Sequence, residues 1–179
     1  MRHPELQRAL DLIDSATDGM TDDQLAWRPE GKWSTATILE HLSLTFSGTA
    51  KGLNRVLAAG KIDCRERTLK ERVLQFALLS LSYFPEGRKA PPRAVPSETM
   101  PGQQAMREIR EKLAAMDSAM AACAEKFSTN QQILEHPILG PLSLAQWEKF
   151  HWLHTRHHMK QVRERRLLSA AQHAAVGAR

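Results

Sequence analysis

The chain has 179 residues, with 25 Lys and Arg against 20 Asp and Glu, 42% apolar content, 9 Gly and 9 Pro. This is the composition of an ordinary globular domain, here a single one over residues 1–179, and not of a disordered or collagenous chain. Its 23 Ala and 22 Leu against 11 Ile and Val combined favour helices and argue against a sheet-based fold.

The first helix is predicted over residues 4–16, where Leu6, Leu10 and Ile13 form one apolar stripe and Asp18-Gly19 ends it. A loop over 21–32 contains Trp27-Arg28-Pro29. Ser34 then caps a helix that runs to Ala59 and is terminated by Gly60. Ile38, His41, Leu42, Thr45, Thr49, Leu53 and Val56 fall on its inward face. A Leu-rich helix is predicted over 65–83, closed by Pro85, as either a packed fifth helix or a flap across one end. Residues 84–102 hold Pro85, Pro91, Pro92, Pro96 and Pro101, an extended crossover of limited freedom. A helix follows over 103–126, with Met106, Ile109, Leu113, Met116 and Met120 as its stripe. After a loop with His136-Pro137 and Gly140-Pro141, Ser143 and Gln146 form a capping box that opens a last helix reaching about residue 170. These segments specify an all-α antiparallel four-helix bundle with an additional short helix and a long Pro-rich crossover.

The net charge of +5 is unevenly placed. Residues 1–30 hold seven acids and three bases, residues 143–179 two acids and seven bases. Lys160, Arg163, Arg165 and Arg166 fall in the last turns of the final helix, where cations offset the helix dipole, so no nucleic-acid partner is expected. No stretch approaches the roughly 20 apolar residues that span a bilayer, and residues 1–5 do not begin a signal-like segment, so neither export nor a membrane partner is expected. Cys64 and Cys123 have no Cys-x-x-Cys spacing, which fits free thiols in a reducing cytoplasm.

Four of the eight histidines, His151, His154, His157 and His158, lie within eight residues. On a helix, taking His151 as zero, His154 falls at about −60°, His158 at about −20° and His157 at about −120°. Trp147 and Val162 share the face of the first three, so that face points into the core. His154 and His158, one turn apart, can address one ion, and a third ligand must come from another helix, where His41 stands alone among apolar neighbours. Two readings follow from the spacing: a metal site in the bundle core, or hydrogen-bonded core histidines. His151 is read as a hydrogen-bonding partner of the site, a proton shuttle at its mouth, or a core-edge residue. Glu40 points about 100° from His41 and is read as solvated unless the neighbouring helix brings it back. Thr45, Gly48 and Thr49 would leave room beside an ion.

Trp27-Arg28-Pro29, Lys32-Trp33-Ser34 and Ile38-Leu39-Glu40-His41-Leu42, together with His136-Pro137-Ile138-Leu139-Gly140-Pro141 and the run from His151 to Gln161, resemble the DinB-like superfamily, also called YfiT-like. The resemblance implies a bundle of up-down-down-up connectivity holding a divalent metal, zinc, nickel or iron, on three histidines, here His41, His154 and His158. It further implies a metal-dependent enzyme, foremost a transferase using a low-molecular-weight thiol such as bacillithiol, mycothiol or glutathione, with metal-dependent hydrolysis or non-catalytic metal binding as alternatives. Where relatives often show His-Arg-Gly-Gln, this chain has His158-Met159-Lys160-Gln161. No Glu follows His154, so the site is not a zincin. The expected partners are a small-molecule substrate and a second copy of the chain in a homodimer. No role is assigned to residues 61–102, His136 or His157.

Overall fold

The computed structural model describes residues 1–82 and 90–177, with side chains described to residue 172. The expected closure at Pro85 lies outside the described residues. Four long helices form the bundle: α1 (Pro4–Thr17), α3 (Thr35–Ala59), α5 (Gly102–Lys126) and α6 (Leu144–Gly177). Two short ones, α2 (Asp22–Ala26) and α4 (Leu69–Gln75), flank α3. α3 lies along α5 and α1 along α6, and α3 also meets α6.

The helix limits follow from local chemistry. Pro4 stands in the first turn of α1, where its missing N–H costs nothing. The Ser34 hydroxyl accepts from the Thr37 amide to start α3, and Gly60, at φ 68°, ends it in the left-handed conformation that glycine adopts freely. Ser143 and Gln146 cap one another reciprocally at the start of α6, at 3.0 and 3.3 Å. Leu6, Ile13, Ile38, Leu39, Leu42, Phe46, Leu53, Ile109, Leu113, Met116 and Met120 are fully buried between the long helices. This core suffices to hold the bundle without a bound ion.

Three local expectations are revised. The loop expected over 21–32 contains α2, started by a reciprocal cap between Thr21 and Gln24. The helix expected over 65–83 is shorter: Thr68 and Glu71 cap α4, which passes at Phe76–Ser80 into a wider π turn. The loop before α6 is an antiparallel hairpin of β1 (Gln132–His136) and β2 (Gly140–Ser143). His136 Nδ1 accepts from the amides of Ile138 and Leu139, both at 3.1 Å, and Gly140 takes φ 70° to close the turn. Pro141 is tolerated because the sheet has only two strands, leaving an edge where no N–H is needed. Gln75 of α4 donates to the carbonyls of Leu139 and Pro141 at 2.7 and 3.1 Å, which seats the π-turn segment on the hairpin.

At Gly102, the first residue of α5, an added Cβ would come within 2.6 Å of Leu25 Cβ, an atom too close to the α2 backbone to swing away. Gly102→Ala is therefore expected to destabilise the protein by about 1–3 kcal/mol through overpacking, although Ala is the better helix former by about 1 kcal/mol. A urea midpoint equal to or above wild type would show that α2 yields freely.

Candidate metal centre

The centre lies where α3 meets α6. Residues four apart on a helix stand one above the other, so His154 and His158 present their rings side by side, with centroids 4.7 Å apart. His41 approaches from α3, its ring edge-on to both, at 5.3 and 4.9 Å. His154 Nε2 lies 3.1 Å from His158 Nε2 and 3.4 Å from His41 Nε2, and one donor atom from each ring falls within 4.8 Å of the others. His41 and His158 are buried and His154 is half-buried.

Hydrogen bonds fix where the protons sit. His41 Nδ1 is 2.7 Å from the Ala94 carbonyl oxygen, which can only accept, so Nδ1 carries the hydrogen and Nε2 a lone pair. His158 Nδ1 stands 2.9 Å from Gln161 Oε1, and in this amide orientation it too carries the hydrogen. Two Nε2 lone pairs therefore converge on His154 Nε2, whose single hydrogen could satisfy only one of them. The arrangement fits a cation: zinc at about 2.0–2.1 Å from each nitrogen in tetrahedral geometry sets two ligand nitrogens about 3.3 Å apart. The carbonyl and amide partners are of the kind that orients ligating imidazoles.

The residues around the three rings are mostly apolar or aromatic. Trp33 tilts over His41 at 5.1 Å between centroids, and Phe150 stacks on His154 at 5.3 Å. Burial lowers the pKa of His41, despite the opposing Ala94 bond, and brings His158 down to about 3, with the nearby His41 adding to the effect. The His154 pKa is lowered well below its ordinary value, by burial first and then by the neighbouring imidazoles. All three are neutral at pH 7, the state in which imidazole ligates metals.

The other expected site residues fall as follows. His151 is fully buried: its Nε2 meets Thr49 Oγ1 at 3.0 Å, its Nδ1 has no partner, and its ring stacks on Trp147. Thr49 is thus engaged with His151, while Gly48 is exposed. His157 is not one of the three converging donors, but its ring stands edge-on to that of His158 at 5.2 Å and its Nε2 lies 3.5 Å from Gln161 Nε2. His136 packs against Phe150 and Trp147 at the hairpin turn.

Glu40 is the principal revision. It is buried, and its Oε1 accepts from the Ser97 amide at 2.8 Å, while Oε2 is buried with no partner. Glu40 and His41 thus hold two points of the crossover, Ser97 N and Ala94 O. The helix-wheel position that suggested solvent faces the crossover instead, and no sequence signal pairs residue 40 with residue 97.

A family model described as the DinB superfamily matches residues 5–162. YuaE of Bacillus subtilis (strain 168), described as an uncharacterized protein, is 28% identical over 160 residues, covering 82% of this chain and 85% of that protein. No solved structure matches.

Burial holds His136 at about 4 and His151, with a further contribution from His136, at about 3. Both are neutral in the fold, whereas in the unfolded chain each takes up a proton below about pH 6.5. Their contribution to stability is therefore complete above about pH 6.5 and declines as pH falls towards the folded values. Metal-free protein is expected to lose about 1.4 kcal/mol per pH unit for each such histidine over that window. Denaturant titrations at pH 7, 6 and 5 measure this, and constant stability would show that these rings are hydrated in the fold.

Proposed function

The chain belongs to the DinB superfamily, and from that premise we propose that it is a metal-dependent enzyme whose His41, His154 and His158 hold one divalent ion, zinc, nickel or iron. The reaction we assign is transfer from or to a low-molecular-weight thiol, acting on a small-molecule substrate. The observation that carries the reading is the convergence of three Nε2 atoms, two of them with their hydrogens directed away to Ala94 O and Gln161 Oε1.

Three protein ligands leave at least one coordination position open on a tetrahedral ion, the pattern of catalytic rather than closed structural sites. A bound divalent ion supplies Lewis acidity, which favours thiolate over thiol and lowers the pKa of water. The chain's own residues do the rest. Ala94 and Gln161 hold the tautomers of His41 and His158, and Glu40 holds the strap that carries Ala94. Trp33 and Phe150 keep solvent from two faces of the cluster. In transfer, the thiol proton passes to solvent, and sulfur bonds to an electrophilic carbon of the second substrate as the leaving group departs with its electron pair. Thr155, fully buried directly after His154, offers no carboxylate base of the zincin kind, so in this reading an ion would have to activate either thiol or water by its own charge. The same proposal includes a cytoplasmic location and a homodimer. Leu69, Val73 and Phe76, exposed along one face of α4 and the π turn, supply apolar surface for such a contact.

Protein purified without a metal-affinity tag is expected to contain about one divalent ion per chain. His41→Ala, His154→Ala and His158→Ala should each abolish retention, His157→Ala should not, and Glu40→Ala should weaken affinity about tenfold while Glu40→Gln, which keeps an acceptor for Ser97, stays near wild type. Elemental analysis and competition with a chelator measure this. Full metal content in His41→Ala would remove α3 from the site.

Cobalt-substituted protein titrated with a low-molecular-weight thiol is expected to develop a sulfur-to-metal charge-transfer band and to release a proton, because a thiol near a divalent cation ionises below its free pKa of about 8.5. A spectrum that responds to small anions and pH but not to thiols would favour hydrolysis. Indifference to every added ligand would indicate a closed shell and non-catalytic metal binding.

A further inference from the structure

The Trp27-Arg28-Pro29 motif lies on the loop between α2 and α3, and both ends of that loop are tied to α6. Trp27 Nε1 donates to Gln172 Oε1 at 2.7 Å, and Arg165 Nε donates to the Trp33 carbonyl at 3.2 Å. From this anchored loop Arg28 reaches across to the crossover, where its Nη1 pairs with Glu98 Oε2 at 2.5 Å, both side chains about half exposed. Glu98 itself stands at φ 63°. A residue with a Cβ is strained in that left-handed conformation and keeps it only where the surroundings impose it.

The strap that ends at Glu98 grips three points. The Ala94 carbonyl meets His41 Nδ1, the Ser97 amide donates to Glu40 Oε1, and the Glu98 carboxylate holds Arg28. Trp33, from the same loop as Arg28, lies against the His41 ring at 5.1 Å between centroids. His41 is therefore held by two segments, and the Arg28–Glu98 pair joins one to the other. Two costs oppose this seating. One is the strain at Glu98; the other is Glu40 Oε2, buried with no partner, which would gain water if the strap lifted.

We propose that Glu98 is a positioning residue: its ion pair with Arg28 keeps residues 94–97 seated on α3, and through the Ala94 carbonyl keeps His41 Nε2 free to hold an ion. The left-handed backbone at residue 98 aims the carboxylate at Arg28, which is why Glu stands where Gly would fit without strain. The seating stands on the geometry alone; only its effect on an ion rests on the metal reading above. By linkage, an ion that needs the seated strap must in turn favour it by the same factor.

The test follows two quantities on the full chain: hydrogen exchange of the Ser97 amide, in metal-free and zinc-loaded protein, and zinc affinity by competition with a chelator. The variants are Glu98→Gly, Arg28→Glu, and Arg28→Glu combined with Glu98→Arg, each checked for wild-type far-UV helicity. Glu98→Gly relieves the strain, so if Glu98 served local conformation alone, Ser97 would exchange at the wild-type rate or more slowly. The positioning role instead makes Ser97 exchange about threefold or more faster in Glu98→Gly and in Arg28→Glu, and weakens zinc affinity by a similar factor. The charge-swapped pair should recover both quantities. Zinc should slow Ser97 exchange in the wild type, and salt at about 1 M should speed it in the metal-free wild type but not in Glu98→Gly. Unchanged or slower exchange in Glu98→Gly, no recovery in the swap, or a zinc affinity indifferent to all three variants would overturn the proposal. Failure of the wild type to bind zinc would sink the metal reading, and Ser97 exchange would still decide whether the pair seats the strap.

Discussion

The contact on which the site depends is the one between the Ala94 carbonyl and His41 Nδ1, 2.7 Å long and buried. A free imidazole exchanges its proton between two nitrogens, and only the tautomer with hydrogen on Nδ1 leaves Nε2 able to donate a lone pair. The carbonyl selects that tautomer because it can do nothing but accept. The carbonyl is itself held in place: Ala94 closes the short 3₁₀ turn Pro92–Ala94, and three residues on the Ser97 amide is held by Glu40. A flexible connection would have to lose conformational entropy to offer the same contact, and the prolines at 91, 92 and 96 have removed part of that entropy beforehand. The long crossover therefore joins two helices and also presents an acceptor to the site.

Burial and convergence act together on the three rings. Each imidazole in the cluster resists protonation because a cation there would lose its hydration, and a second cation a few ångströms away would compound the cost. Neutral rings held with lone pairs facing one another repel less than charged ones but are still mismatched, and a divalent cation is the species that turns this mismatch into attraction. The core of leucines, isoleucines and methionines carries the fold separately from this pairing, so the site can be arranged for chemistry and not for closure of the structure.

The legible features were those encoded within one helix. The four-residue interval between His154 and His158, the capping serines at 34 and 143, and the glycine at 60 are local signals, and periodicity placed His41 inward. The structure puts all of these where such signals point. What could not be read depends on pairings between distant segments. Glu40 looked solvated because a helical wheel knows only its own helix, and the amide it grips lies 57 positions away. His151 shares the angular sector of His154 and His158, yet its Nε2 is committed to Thr49 of α3, a matter of axial height and not of angle. The hairpin before α6 leaves no mark in the sequence because its strands are short and its turn is closed by a histidine ring nitrogen accepting two amides, a device with no propensity signal.

The departure from the superfamily pattern after His158 takes on a physical meaning from the same geometry. Met159 is fully buried in the core and Lys160 is exposed, so neither lies on the face that carries the cluster. That face runs through His154, His158, Gln161 and Arg165, at intervals of four, three and four, the spacing of a single helical stripe. Gln161 orients His158, and Arg165, buried one turn further on, holds the Trp33 carbonyl. The Arg165 guanidinium is engaged with the loop that brings Trp33 against His41. Because the Arg165 guanidinium is buried, with the exposed Glu164 as its ion-pair partner, taking away its partners would leave a charge without adequate solvation. That penalty fixes the loop, and the loop in turn holds Trp33 against His41.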